Sequence, residues 1–94
     1  MLTVTDDARD RLSQKLAHKK ATYEVALRFT RRRGGWRLRL DQARPADTTF
    51  THKGRNILLL DDVVARAMQH MTLDTRTTEA GPQLRLRRRT SKED

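Results

Sequence analysis

The segment from Tyr23 to Leu40 reads YEVALRFTRRRGGWRLRL and carries the clearest pattern in the sequence. On both sides of its centre, apolar residues alternate with polar or small ones, at Tyr23, Val25, Leu27, Phe29, Trp36, Leu38 and Leu40. A period of two is typical of strands that bury one face. The segment Arg31–Gly35 interrupts the alternation and ends in two glycines, which suit a tight turn. The sequence therefore predicts a β-hairpin with a basic, glycine-containing loop.

The residues before the hairpin predict a short strand and a helix. Leu2 and Val4 flank a threonine in an alternating segment, which is consistent with a strand or an extended lead-in. Thr5 can cap the helix, because its hydroxyl accepts hydrogen bonds from amides of the first turn. We expect the helix over about 6–18, with its apolar stripe at Ala8, Leu12 and Leu16.

The residues after the hairpin predict two strands and a second helix. Thr49–Thr51 suits a short strand, and the continuous apolar run in Asn56–Leu60 suits a strand buried on both faces. Asp61 or Asp62 can cap the second helix, which we expect to run to about His70. Its apolar positions fall at helical spacing, at Val64, Ala67, Met68 and Met71.

Two further strands and a tail complete the chain. Alternation over Leu73–Thr77 and over Leu84–Arg87 predicts strands on either side of a Gly81–Pro82 turn. The last residues, 88–94, have nothing to bury, so we expect a disordered basic and polar tail there. Residues 1–87 then form one α+β domain of order β-α-β-β-β-β-α-β-β, built from hairpins rather than βαβ crossovers.

Composition and motifs exclude several classes of function. The 94 residues contain no cysteine, which excludes disulfides, thiolate nucleophiles and cysteine-ligated metals within this sequence. No signal-peptide pattern or apolar membrane span occurs, so we expect a cytoplasmic protein. No nucleotide-binding loop or nucleophile motif is present, and we expect neither an enzyme nor a bound cofactor.

The three histidines lack metal-ligand spacing. A metal shared by His70 and Asp74 is the weakest alternative for the function.

Positive charge points to an anionic partner. Lys and Arg total 21 against 12 Asp and Glu, a formal net charge of +9, and such a field favours nucleic acid or an acidic protein. If the hairpin and the last strand share one sheet, their outward arginines merge into one anion-binding surface. The candidate residues are Arg31, Arg32, Arg33, Arg37, Arg39, Arg85 and Arg87. A solvated sheet face that only aids solubility is the competing interpretation.

Several segments resemble the A-type iron–sulfur carrier family, which has the HesB-like fold. The opening LTVTDDARDRL is similar to the strand, threonine cap and first helix of that family. RRRGGWRLRL stands where the family has its Gly-Cys-Ser-Gly loop, and LDTRTTEAGPQLRLR resembles the family's last hairpin. The resemblance covers about residues 2–87. It implies a strand-rich α+β sandwich or pseudobarrel with two helices, and self-association into dimers or tetramers.

The cluster ligands of that family have no counterpart here. The family's loop cysteine falls at Arg33 or Gly34, and residues 88–94 contain neither its Cys-Gly-Cys pair nor the Asn-Pro-Asn before it. Arginine cannot replace the thiolates that hold such clusters. The resemblance therefore implies a bacterial, non-enzymatic accessory protein that keeps the fold and has lost the carrier chemistry. We expect it to bind a partner through the basic hairpin around Arg31–Arg39; a module that binds RNA or DNA phosphates is the alternative.

Overall fold

The structure, a computed structural model, describes residues 1–88 and contains seven strands and two helices in that range. The elements follow the order predicted from the sequence: β1 Thr3–Val4, α1 Asp6–His18, β2 Val25–Arg32, β3 Gly35–Gln42, β4 Thr48–His52, β5 Arg55–Leu60, α2 Asp62–Ala67, β6 Met71–Thr78 and β7 Gly81–Arg88. The predicted α+β class with two helices is confirmed. No helix within residues 1–88 is long and apolar enough to cross a membrane.

The strands form two sheets. One has the order β1-β6-β7 and the other β3-β2-β5-β4. The neighbouring strand pairs β2–β3, β4–β5 and β6–β7 form antiparallel hairpins. Each sheet also contains one parallel pair, β1 with β6 and β2 with β5, which the sequence did not predict. Alternation within a segment indicates a strand and its buried face, but not which distant strand will lie beside it.

Helix α1 packs between the sheets and contacts strands of both. Its predicted apolar stripe is confirmed, because Ala8, Leu12 and Leu16 are completely buried. Thr5 caps the helix as expected, with its hydroxyl accepting a hydrogen bond from the Ala8 amide at 3.2 Å. The prediction for β5 is also confirmed, since Ile57–Leu60 is buried throughout. A period-four stripe and a continuous apolar run thus supply the centre of the core.

The hairpin β2–β3 is fully paired from Val25 opposite Gln42 to Arg32 opposite Gly35. Its loop is therefore only two residues long, Arg33 and Gly34. The backbone turns here with φ of 90° at Gly34 and 133° at Gly35. Side-chain-bearing residues rarely adopt such values, so the glycines permit the tight turn between two long strands.

Three local predictions are corrected. Tyr23 lies outside β2 and is 70% exposed, because the chain turns in the 20–24 segment. The Tyr23 hydroxyl donates a hydrogen bond to the Gly54 carbonyl. Helix α2 ends at Ala67 rather than His70, and Met71 opens β6. The Met71 amide donates to the Met68 carbonyl in a tight turn, so both methionines pack against the core without one continuous helix. Arg88, assigned to the tail from the sequence, is the last residue of β7; the rest of the predicted tail, 89–94, lies outside the described residues.

Candidate functional site

The register of the hairpin divides its arginines between two faces. Side chains directly opposite one another in an antiparallel pair share a face. Arg31 lies opposite Trp36, and its guanidinium carbon is 5.0 Å from the centroid of the Trp36 ring. Arg37 lies opposite Thr30, on the other face of the sheet. The hairpin therefore presents positive charge on both sides rather than on one outward face.

The end of the hairpin carries four exposed arginines that form no ion pair with any carboxylate of the described residues. We call Arg31, Arg32, Arg33 and Arg37 the arginine tip. None of the four has a carboxylate within ion-pair distance among residues 1–88. Arg37 donates to the Trp36 carbonyl at 3.1 Å, and Arg31 stacks on the Trp36 ring. The arginine tip lies at the turn end of the hairpin, where all four side chains are exposed.

Arg28, three residues before the arginine tip, has the opposite environment. It is 3% exposed, which corrects the prediction that β2 buries only one face. Its guanidinium donates to Asp41 at 2.8 Å and makes a bidentate pair with Asp47 at 2.6 and 2.9 Å. It also donates to the Gln42 carbonyl at 3.2 Å. These bonds satisfy a buried cation, which would otherwise be costly to remove from water.

The pKa values of this cluster follow from the same contacts. Hydrogen bonds from Arg28 hold the pKa of the Asp47 carboxyl below its usual value. The pKa of Asp41 is also lowered, chiefly by the Gln42 amide and then by Arg28. The two carboxylates in turn raise the pKa of Arg28, with the Asp47 hydrogen bond as the largest cause. All three groups are therefore charged at neutral pH. They form a structural ion cluster and not an acid–base pair. Arg39, at 3.8 Å from Asp41, lies at its exposed margin.

Arg85 and Arg87 belong to another sheet and have a carboxylate partner. The hairpin and the last strand would form one arginine surface if they shared a sheet, but β7 lies in the sheet β1-β6-β7 and the hairpin lies in the other. Arg85 lies opposite Asp74 and donates to it twice at 3.0 Å; Arg87 donates to it at 2.8 Å. Hydrogen bonds from Arg85 and then Arg87 lower the pKa of Asp74 to about 2. Both arginines of β7 are thus held in place by hydrogen bonds to the same Asp74 carboxylate.

The described residues do not supply ligands for a metal or a cluster. Among residues 1–88 no group of three or more histidine, cysteine, aspartate or glutamate side chains is close enough to hold a metal ion. The oxygens of Asp74 accept from arginines, and His52 lies 2.9 Å from Asp10. Arg33 and Gly34 offer no donor atom suited to iron. The donor set here does not fit an iron–sulfur cluster.

Comparison with known proteins identifies the fold. No protein-family model and no curated protein matches the sequence. A solved structure of IscA with a [2Fe-2S] cluster is 17% identical, with a TM-score of 0.63 over 94% of this chain and 85% of that one. Escherichia coli SufA, described as involved in biosynthesis of iron–sulfur clusters, is 21% identical, with a TM-score of 0.67 over 93% of this chain and 84% of that one. The chain therefore has the HesB-like fold of the A-type iron–sulfur carriers, as the sequence resemblance implied, in a sequence without cysteine.

Proposed function

We propose that this protein is a non-enzymatic accessory protein that uses the carrier fold to bind an acidic protein partner through the arginine tip. The observation that carries the proposal is the contrast in pairing: the arginine tip has no carboxylate partner within residues 1–88, whereas Arg28, Arg85 and Arg87 all have one. A guanidinium offers five N–H donors in a fixed fork that matches carboxylate geometry. The tip arginines keep most of those donors for a partner.

The charge of the whole chain supports the same partner. With a formal net charge of +9, long-range attraction would bring an acidic surface toward the molecule before any contact forms. The tip lies at the turn end of the hairpin and carries exposed arginines on both faces, so a partner can approach it from either face. Surface charges placed in this way raise association rates and fix orientation more than they raise affinity. We therefore expect binding that depends strongly on salt.

Loss of cluster binding is part of the proposal. The IscA structure contains a [2Fe-2S] cluster, and clusters of this type are held by soft thiolate ligands. This sequence has no cysteine, and Arg33 or Gly34 stands where the resemblance places the loop ligand. The fold would then serve as a binding scaffold in the cytoplasm, alone or self-associated as the resemblance implies.

Few aromatic side chains are open for base stacking, which favours protein over single-stranded nucleic acid. The chain has four aromatic residues, and Phe29 and Phe50 are buried. Trp36 is covered by Arg31 and meets Phe29 edge to face, with ring centroids 6.2 Å apart. Binding to single strands relies on bases stacked on exposed rings. RNA or DNA held through phosphates alone is the second outcome that the experiment must distinguish.

The experiment is fluorescence anisotropy with two labelled probes of equal length, a glutamate-rich peptide and a mixed-sequence RNA, across a salt series. The test variant is Arg32→Glu with Arg33→Glu. The matched control is Lys53→Glu with Arg76→Glu, which changes the net charge equally at exposed residues away from the tip. Thermal unfolding of all three proteins checks that each remains folded.

We expect the wild-type protein and the control to bind the peptide, and the tip variant to lose most of that binding. Binding of RNA with a steep salt dependence, but none of the peptide, would transfer the function to phosphate recognition. Equal binding by the tip variant and the control would remove the arginine tip from the function. No binding of either probe at low salt would leave the positive charge as a solubility feature.

A further inference from the structure

A cleft opens between the two sheets beside the arginine tip, and Arg37 is the residue of the tip that lines it. It has a volume of about 670 Å³, within the range of roughly 300–1,000 Å³ typical of small-molecule sites. Buried apolar residues of β2 and β6 line its floor. Its walls carry half-buried apolar side chains from both sheets, namely Trp36, Leu38, Met71, Leu84 and Leu86.

The apolar walls are a consequence of the register. Trp36 and Leu38 lie opposite Arg31 and Phe29, while Leu86 lies opposite Leu73. Both hairpins thus turn their apolar sides toward the space between them, and α1 closes only part of that space. Burying such apolar side chains beneath a ligand lowers the free energy, because their surface is removed from water. The walls therefore suit the hydrocarbon part of a ligand.

The polar groups of the cleft have one sign. Lys15, in the last turn of α1, and Lys19, the C-cap residue that follows the helix, are four residues apart and both line the cleft. Arg37 also lines it, although the register places its side chain on the opposite face of β3 from Trp36. No aspartate or glutamate is among its lining residues within 1–88. Lys15 is half-buried, as expected of a side chain whose stem lies along apolar surface while its ammonium stays at the rim. Neither lysine forms an ion pair with a described carboxylate.

We propose that this cleft binds an amphipathic anion: a small molecule with a hydrocarbon body between the sheets and a carboxylate or similar head group at Lys15 and Lys19. An apolar enclosure with cations only at its rim is complementary to such a molecule in both shape and charge. The site differs from the arginine tip, because the ligand would be held by the inner faces of the hairpins together with Lys15 and Lys19; Arg37 is the residue that the two share.

The test uses dodecanoate below its micellar concentration, with the emission of Trp36 as the readout. Trp36 is the only tryptophan of the chain and lies in the cleft wall, so its spectrum reports occupancy directly. We expect saturable binding with a shift in emission, and much weaker binding of dodecyltrimethylammonium, which has the same chain and the opposite charge. Equal binding of the two probes would overturn the charge argument.

Two variants locate the site. Lys15→Glu with Lys19→Glu should weaken dodecanoate binding about tenfold or more, because hydrogen bonds to charged groups are lost and a like charge is introduced. Lys53→Glu, on an exposed turn outside the cleft, should not change it. Unchanged affinity in the double variant would contradict the proposal. Absence of dodecanoate binding together with a wild-type dimer that Leu38→Glu dissociates would show instead that a second copy of the chain covers the cleft.

Discussion

Arginine has opposite environments in two parts of one hairpin. Arg28 is buried and held by two aspartates, while the arginine tip that begins three residues later is exposed and has no carboxylate partner among residues 1–88. The same side chain therefore acts as a structural cation at the base of the hairpin and as a free donor at its end. A count of arginines cannot separate these roles, because the position of the aspartates decides which arginine is neutralised.

The contrast has a thermodynamic side. Removing one partner of a buried ion pair leaves the other charge without compensation in a medium of low polarity. Exposed arginines remain hydrated, and their removal changes little in the folded state. Substitutions at Arg28 should therefore lower stability far more than substitutions at the arginine tip. Substitutions at the tip should in turn weaken partner binding more than substitutions at Arg28.

The largest expected effect is at Arg28. Arg28→Ala should lower the free energy of unfolding by about 3–5 kcal/mol, because Asp47 would remain buried and charged. Arg37→Ala, at the arginine tip, should change it by less than about 0.5 kcal/mol. Urea unfolding of both variants measures the difference. Similar losses in the two variants would show that the buried cluster does not stabilise the fold.

The Asp74 pair should give a smaller effect with a defined pH dependence. Asp74→Asn should cost about 1–3 kcal/mol at neutral pH, because hydrogen bonds from two arginines lose their charged acceptor. The pKa of Asp74 is about 2 in the folded protein and 3.8 in the unfolded reference, so this contribution is complete above about pH 4. It is lost as the pH falls toward 2.

The pH dependence is measured by thermal unfolding of both proteins between pH 5 and 2. The wild-type protein should lose more stability over this range than Asp74→Asn, because the variant has no carboxyl group to protonate at position 74. Asp41 and Asp47, whose pKa values are also lowered, remain in both proteins and cancel in the comparison. Identical pH profiles would show that Asp74 is not held by its arginines in solution.

A still smaller stability effect is expected at Arg31, the residue of the arginine tip that stacks on Trp36. Arg31→Ala should lower stability by about 0.5–1 kcal/mol, the usual size of an exposed cation–π contact. Arg32→Ala, which lacks such a contact among the described residues, is the matched control and should be close to neutral. A shift of tryptophan emission in Arg31→Ala alone would confirm the contact, and identical spectra and stabilities in the two variants would contradict it.

Local periodicity predicted the elements of this fold because most of them bury a regular face. Alternation in residues 25–40 and the four-residue spacing in α1 gave these elements close to their observed bounds. The parallel pairings could not be predicted, since they join segments far apart in sequence. Tyr23 followed the alternating pattern but lies in a turn, because Arg55 donates to three carbonyls of the 21–25 segment and holds it there.

The candidate site was predicted less well than the fold. The sequence located the arginines but could not tell whether those of the hairpin and those of the last strand share a surface; the two hairpins belong to different sheets. Arg28 was missed because simple alternation placed it on a solvated face. Asp41 and Asp47 downstream were the available signal, but an aspartate pairs with a particular arginine only through the register of β2 and β3. Charge pairing is a tertiary property, and local patterns carry little of it.

The most direct test of the central claim is the affinity for the glutamate-rich peptide of the Arg32→Glu, Arg33→Glu variant, measured beside the Lys53→Glu, Arg76→Glu control at low ionic strength. The account predicts that the tip variant loses at least about tenfold in affinity relative to the control, while both proteins unfold at similar temperatures. Equal affinities would contradict it, because charge reversal at the arginine tip would then matter no more than charge reversal elsewhere on the surface.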